Sequence, residues 1–169
     1  MLVFAIWRMV MGGGFSHVGV STHDMDATIQ FYEEILGFPR VVEEKIKIKQ
    51  GGMFRQVFFD LGRNQYIVFM EPSNVPGISD AYDTGINGAL GVPSGMYHFA
   101  FRVESLDELE SQRQEFENQG IEVSSIVDLG IAKSIFLSDP NGIQLEFCCH
   151  MRSFSESDLH KESEASIAL

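Results

Sequence analysis

Apolar and polar positions alternate over residues 15–21, the mark of a short strand with one buried face, and the period then changes. Met25, Ile29, Tyr32 and Ile35 recur at helical spacing, with Asp24 placed as an N-cap and Gly37 as the stop. Three strand-like runs follow at 40–48, 54–60 and 65–70, separated by Gly51-Gly52 and Gly62-Arg63-Asn64. This half of the chain therefore reads βαβββ. Residues 72–95 are rich in Gly, Pro, Ser, Asn and Asp and form a connection long enough to carry function or to move.

The same succession then returns. A strand over 97–103 leads to Ser105-Leu-Asp-Glu108, a capping-box pattern for a helix that turns Leu109 and Phe116 inward and ends at Gly120. Strands near 121–127, 132–137 and 143–149 complete a second βαβββ unit, the last two joined by the turn Asp139-Pro-Asn-Gly142. The repeat extends to single residues. Phe15-Ser-His17-Val-Gly-Val is echoed by Met96-Tyr-His98-Phe-Ala-Phe, and Met25-Asp26 follow His17 at the spacing by which Leu106-Asp107 follow His98. The expected architecture is α+β, with one domain over 14–150 made of modules 14–71 and 96–150. An extension, 1–13, precedes it, and a polar tail, 151–169, follows that is expected to be frayed or disordered.

Side chains two apart on a strand share a face. His17 thus points with Phe15 and Gly19, His98 with Ala100, and Glu146 with Gln144 and Cys148, while Leu145 and Phe147 turn the other way. A lone strand histidine is usually a hydrogen-bonded core residue. Histidine at both equivalent positions, with a glutamate in an otherwise apolar strand where an unpaired carboxylate is costly, points instead to a divalent metal held by His17, His98 and Glu146. Three protein ligands leave positions open for water, substrate or dioxygen.

Composition narrows the partners. The chain has 169 residues, 44% of them apolar, enough for one sizeable core. A net charge of −12 argues against nucleic acid or an anionic membrane surface. The two cysteines, Cys148 and Cys149, are adjacent and read as small residues of a buried strand in a reducing, cytoplasmic setting. The opening MLVFAIWRMVM is too short to span a membrane and is interrupted by Arg8. It reads as an extra strand, an interface arm or a start-site artefact, with Met9 and Met11 as alternative starts.

The stretch His98-Phe-Ala-Phe-Arg-Val, then Leu106-Asp-Glu-Leu, Gly120-Ile and Ser134-Ile-Phe-Leu-Ser-Asp-Pro-Asn-Gly-Ile-Gln-Leu-Glu146 resembles the vicinal oxygen chelate superfamily of glyoxalases, bleomycin-binding proteins and type I extradiol dioxygenases. The resemblance covers about residues 14–150. It implies two βαβββ modules paired into an eight-stranded, cup-like barrel around a metal, and a homodimer in which modules pair within or between chains. It also implies four ligand positions, of which His17, His98 and Glu146 fill three. Val68 falls where glyoxalase I carries a metal-binding Glu, and Glu71, on the opposite face, is a rim charge.

The resemblance implies chemistry of three kinds. Extradiol ring cleavage uses two His and one Glu around ferrous iron, which makes Fe(II) the first choice of metal and Mn, Ni or Zn the alternatives. Phe136 and Asp128-Leu129-Gly130 stand where such enzymes carry a Tyr and a His, so catechol cleavage itself lacks its usual proton donors. A glyoxalase-type lyase, isomerase or epimerase would use Glu146 as its base, and a drug-binding module would use neither. Gly19 departs from the hydroxyl that fosfomycin-resistance enzymes carry there. The substrate is a small molecule that chelates the metal. His23 is placed at a helix start, and His150 and His160 in solvent.

Overall fold

The computed structural model describes residues 14–160 and 162, so the 1–13 extension and the end of the tail lie outside the described residues. In the first module, β1 (His17–Ser21) leads to helix α1 (Met25–Ile29), which runs on as a π-helical turn, Gln30–Ile35. Strands β2 (Arg40–Lys47), β3 (Met53–Asp60) and β4 (Tyr66–Ser73) follow, giving the sheet order β1-β4-β3-β2. In the second module, β5 (His98–Val103), helix α3 (Leu106–Asn118) and strands β6 (Val127–Asp128), β7 (Ala132–Ser138) and β8 (Gln144–His150) give β5-β8-β7-β6. The two sheets have the same topology, with the first and last strands of each module parallel.

The helices start where their caps stand. Asp24 accepts a hydrogen bond from the Ala27 amide at 2.9 Å, and Ser105 accepts one from Glu108 at 3.2 Å. The box around Ser105 is displaced by one residue, since the Glu108 carboxylate takes the Glu104 amide rather than that of the cap. The connection between the modules is more structured than its composition indicates. It carries a short helix, α2 (Ile86–Leu90), closed by Gly91 at φ 65°, and the buried Asn87 bonds both the amide and the carbonyl of Tyr97.

The α+β expectation of two βαβββ modules holds, the eight strands falling into two four-stranded sheets with β1 and β5 at their edges among the described residues. One expectation is corrected. The strand expected over 121–127 shrinks to Val127–Asp128 and one bridge, Val123 to Leu137. Ser124 is the cause: its hydroxyl, not its carbonyl, takes the Phe136 amide at 3.0 Å, and a side chain in the ladder ends regular pairing.

One core joins the modules. Tyr32, Phe59, Phe69, Ile67 and Met25 of the first pack with Ile135, Leu145, Leu109 and Phe147 of the second in a continuous apolar cluster. A buried polar chain crosses the same boundary. The Tyr32 hydroxyl donates to Asp139 at 3.1 Å, and Asn141 spans Asp139 and Thr28. Asp139 in turn takes the amides of Asn141 and Ile143, each at 2.8 Å, and so shapes the β7–β8 turn. Burial pushes the Asp139 carboxyl above the ordinary carboxylate range, although each hydrogen bond it accepts pulls the other way. The Tyr32 phenol is driven well above its usual value, first by burial and then by the Asp139 charge, so it remains a donor.

The β2–β3 hairpin gives a direct test of the turn. Gly52 has φ 77°, and a Cβ there would sit 2.3 Å from the Asn74 carbonyl oxygen. Gly52→Ala is expected to cost about 2 kcal/mol or more in urea unfolding, from left-handed strain together with the backbone clash. A loss below about 0.5 kcal/mol would contradict that geometry.

Arg152 grips Asp158 through two nitrogens, each at 2.7 Å, around a 3₁₀ turn at Glu156–Asp158 in the first part of the tail. No described helix is long and apolar enough to cross a membrane.

Candidate metal centre

Strand register decides which side chains meet. Ala100 pairs with Glu146 and His98 with Gln144, while across the β7–β8 hairpin Phe136 pairs with Glu146 and Ser134 with Cys148. His98, Glu146, Cys148, Ser134 and Phe136 therefore share one face. His98 Nε2 lies 3.1 Å from Glu146 Oε2, and the other carboxylate oxygen, Oε1, accepts from the Ser134 hydroxyl at 2.6 Å. Glu146 is 6% exposed, so these partners replace most of its hydration.

The tautomer of His98 follows from its second nitrogen. Nδ1 is 2.8 Å from the Gly95 carbonyl oxygen, which can only accept, so Nδ1 carries a proton. In the neutral ring Nε2 then bears a lone pair aimed at a carboxylate oxygen. Two lone pairs at 3.1 Å repel unless a proton or a metal cation lies between them. A backbone carbonyl on the distal nitrogen is also how a metal-binding histidine is held in orientation. The donor set, one imidazole nitrogen and one carboxylate, suits a divalent first-row ion.

His17 does not join this pair. It is exposed on β1, with Nδ1 3.2 Å from the Ser16 hydroxyl and its ring 6.1 Å from that of Phe58. Among the described residues, no three His, Cys, Asp or Glu side chains gather as a metal would require. The module symmetry nevertheless holds at the level of register. Gly19 pairs with Val68 as Ala100 pairs with Glu146, so Val68 is the structural counterpart of Glu146, and it is an aliphatic, 2% exposed.

The other sequence candidates have structural work. Glu71 Oε1 accepts the Met25 amide at 3.1 Å, placing a carboxylate at the start of α1. His23 Nε2 is 2.6 Å from the Tyr82 carbonyl and its ring is 4.2 Å from that of Tyr82, which pins the connection. His150 is the last residue of β8, exposed and edge-on to Phe154 at 5.5 Å. His160 is also exposed. Cys148 and Cys149 are free and buried, and burial pushes the Cys148 thiol up. Ser134, which holds the Glu146 carboxylate, is the residue that sequence reasoning passed over. Its signal was available, because counting back across the Asp139-to-Gly142 turn places Ser134 on the Glu146 face.

Three cavities lie along the strands that carry the pair, and one of them reaches His98. One of about 480 Å³ is mostly apolar and reaches His98, with Phe15, Val18, Tyr66 and Phe99 among its walls. One of about 280 Å³ lies against Ala100, Arg102, Cys148 and His150. The third, about 550 Å³, is bounded by residues 120–124 and by Phe136 and Gln144.

Paired βαβββ modules with a histidine and a glutamate on facing strands define a class, and the family comparison agrees. The chain belongs to the Glyoxalase/Bleomycin resistance protein/Dioxygenase superfamily, whose model matches residues 14–147. It is 24% identical over 157 residues to a probable trivalent organoarsenical cleaving enzyme of Bacillus subtilis (strain 168), covering 90% of this chain and 88% of that protein. The fold is similar to that of the fosfomycin resistance protein FosX from Listeria monocytogenes, at TM-score 0.57 and 19% identity over 83% of this chain and 96% of that one. It is also similar to lactoylglutathione lyase from Agrobacterium tumefaciens, at TM-score 0.56 and 21% identity over 82% and 94%.

Proposed function

We propose that this protein is a divalent-metal-dependent enzyme with dioxygenase-like chemistry, its ion held by His98 and Glu146 of one chain and His17 of a second copy. The observation that carries this reading is the His98–Glu146 pair, in which an Nδ1-protonated ring faces a buried carboxylate at 3.1 Å. Phe15, Met96 and Tyr97, next to the two histidines, are 73%, 63% and 48% exposed, an apolar surface that a second copy would cover. The substrate is a small molecule with vicinal oxygens, and ferrous iron is the metal tested first.

A bound ion would supply Lewis acidity and open coordination positions for substrate and dioxygen. Glu146 contributes negative charge and is held in place by Ser134, while His98 is oriented by Gly95. Phe136, beside Glu146, excludes water and offers no proton. Glu146 is the carboxylate beside His98 able to move a proton, and Val68 stands at the symmetry-related position. A glyoxalase-type exchange relying on a second carboxylate has no support at Val68. Organoarsenical cleavage, the activity named for the Bacillus subtilis relative, is the second reading. Soft trivalent arsenic favours thiolates, and here a single thiol, Cys148, lies on the Glu146 face.

Elemental analysis after co-expression of His17→Ala and Glu146→Gln chains tests the shared site. Each variant alone is expected to lose the ion, and the mixed dimer to keep one intact site and hence retain metal. Loss in the mixture equal to loss in both parents would defeat sharing between copies. Oxygen uptake with ferrous iron over catechols and a trivalent aryl arsenical tests the chemistry. Turnover of a glutathione hemithioacetal without oxygen uptake would replace the dioxygenase reading by the isomerase one.

A further inference from the structure

We infer that the cavity between the β3–β4 turn and strand β5 is an anion site, taking the carboxylate of an amphipathic organic acid whose apolar part lies along β5. The inference deepens the proposed metal chemistry, on which its role in substrate binding rests, by naming the substrate class.

The cavity measures about 400 Å³ and places Arg63 and Arg102 on one space, with Gln65 beside them. Arg63 comes from the first module and Arg102 from β5 of the second. In a chain of net charge −12, unpaired guanidinium groups are scarce. Arg40, Arg55, Arg113, Arg152 and Lys133 all reach an acidic side chain. Neither Arg63 nor Arg102 makes an ion pair among the described residues. Glu104 also lines the cavity and leaves it a net positive charge of one. Two guanidinium forks in a partly enclosed space suit a carboxylate or phosphate, which each can bind through two N–H groups.

The turn supports the same assignment. Arg63 and Asn64 both hold positive φ, at 56° and 58°, in a two-residue hairpin turn. Asn and Gly are the ordinary residues there. An arginine with left-handed backbone is a local cost, and such costs collect where a side chain serves a site.

The neighbouring space supplies the apolar half. The 480 Å³ cavity that reaches His98 shares Leu61, Gln65, Ala100 and Phe101 with the arginine cavity. His98 and Arg102 are four residues apart on an extended strand, roughly 13 Å. A ligand with one ring or a short alkyl chain spans that distance, its charged end on the arginines and its other end at His98.

Calorimetric titration of EDTA-treated protein tests this with 3-phenylpropionate, its neutral analogue 3-phenylpropanol, and inorganic phosphate. The acid is expected to bind at least about tenfold more tightly than the alcohol, and to weaken as salt is raised. Arg102→Gln and Arg63→Asn should each lower acid affinity about tenfold and leave the alcohol unchanged. The asparagine variant favours the turn, so it keeps the fold. Equal binding of acid and alcohol, or unchanged acid binding in both variants, overturns the site. Phosphate displacing the acid at equal affinity overturns the amphipathic class. Because the protein is metal-free throughout, failure here leaves the metal centre standing, and loss of the metal centre leaves this result readable.

Discussion

Glu146→Gln is expected to lower retention of a divalent ion by at least about a hundredfold, while the protein stays folded. Glutamine preserves the shape of the side chain and can still accept from Ser134, so the fold loses little. What disappears is the negative charge beside His98 Nε2, and with it the attraction that would draw a cation between the two groups. The alternative occupant of that gap is a proton, which would make the pair an imidazolium carboxylate. The two cases separate cleanly in one experiment. Elemental analysis of the purified variant should show no stoichiometric first-row metal, and its thermal midpoint should not fall when chelator is added. Wild-type protein should fall in chelator, since an ion that binds only the native state stabilises it. A glutamine variant that retains its ion at wild-type stoichiometry would remove Glu146 from the ligand set.

Asp139→Ala is expected to be the most destabilising single change outside the apolar core, by about 3 kcal/mol. The carboxylate accepts from the Tyr32 hydroxyl, the Asn141 amide side chain and two backbone amides, all buried. Removing it leaves donors from both modules without partners. The effect has a definite pH signature. The folded carboxyl lies above its unfolded value, so its contribution is fully present below about pH 4 and declines as pH rises through the raised folded value. The stability gap between wild type and Asp139→Ala should therefore narrow as pH increases. Urea unfolding between pH 4 and pH 8 measures it, and a gap that widens with pH would show that the ionised form is the one the fold prefers.

Most of the frame was legible because periodicity and punctuation agree along this chain. The His17 and His98 stretches sit at equivalent starts of β1 and β5, and the parity that aligned Val68 with Glu146 is borne out by register. Those inferences rest on the two-residue period of a strand, which survives tertiary packing. Three things were not legible. Ser124 breaks the expected strand with a hydroxyl bond that residue type alone does not announce. The 72–95 connection looked open, yet Asn87 and Thr84 tie it to Tyr97 and Asn141 through contacts distant in sequence. The division of the eight-stranded cup into two four-stranded sheets was the third, because it depends on how edge strands pack rather than on any local pattern. Glu71 shows the same limit: its parity was readable, but its bond to the Met25 amide was not.

The separation of the two sheets has a mechanical meaning. Among the described residues β1 and β5, the strands that begin with the two histidines, are each the edge of their sheet, and no ladder of backbone hydrogen bonds fixes the distance between them. A ladder would permit only steps of whole residues, each flipping side chains to the opposite face. A seam packed by side chains can instead be tuned by fractions of an ångström, one substitution at a time. Residues such as Val18, Phe99 and Phe101, which line the cavity at this seam, are thus the adjusting screws of the scaffold, able to change what fits between the modules while both sheets keep their register.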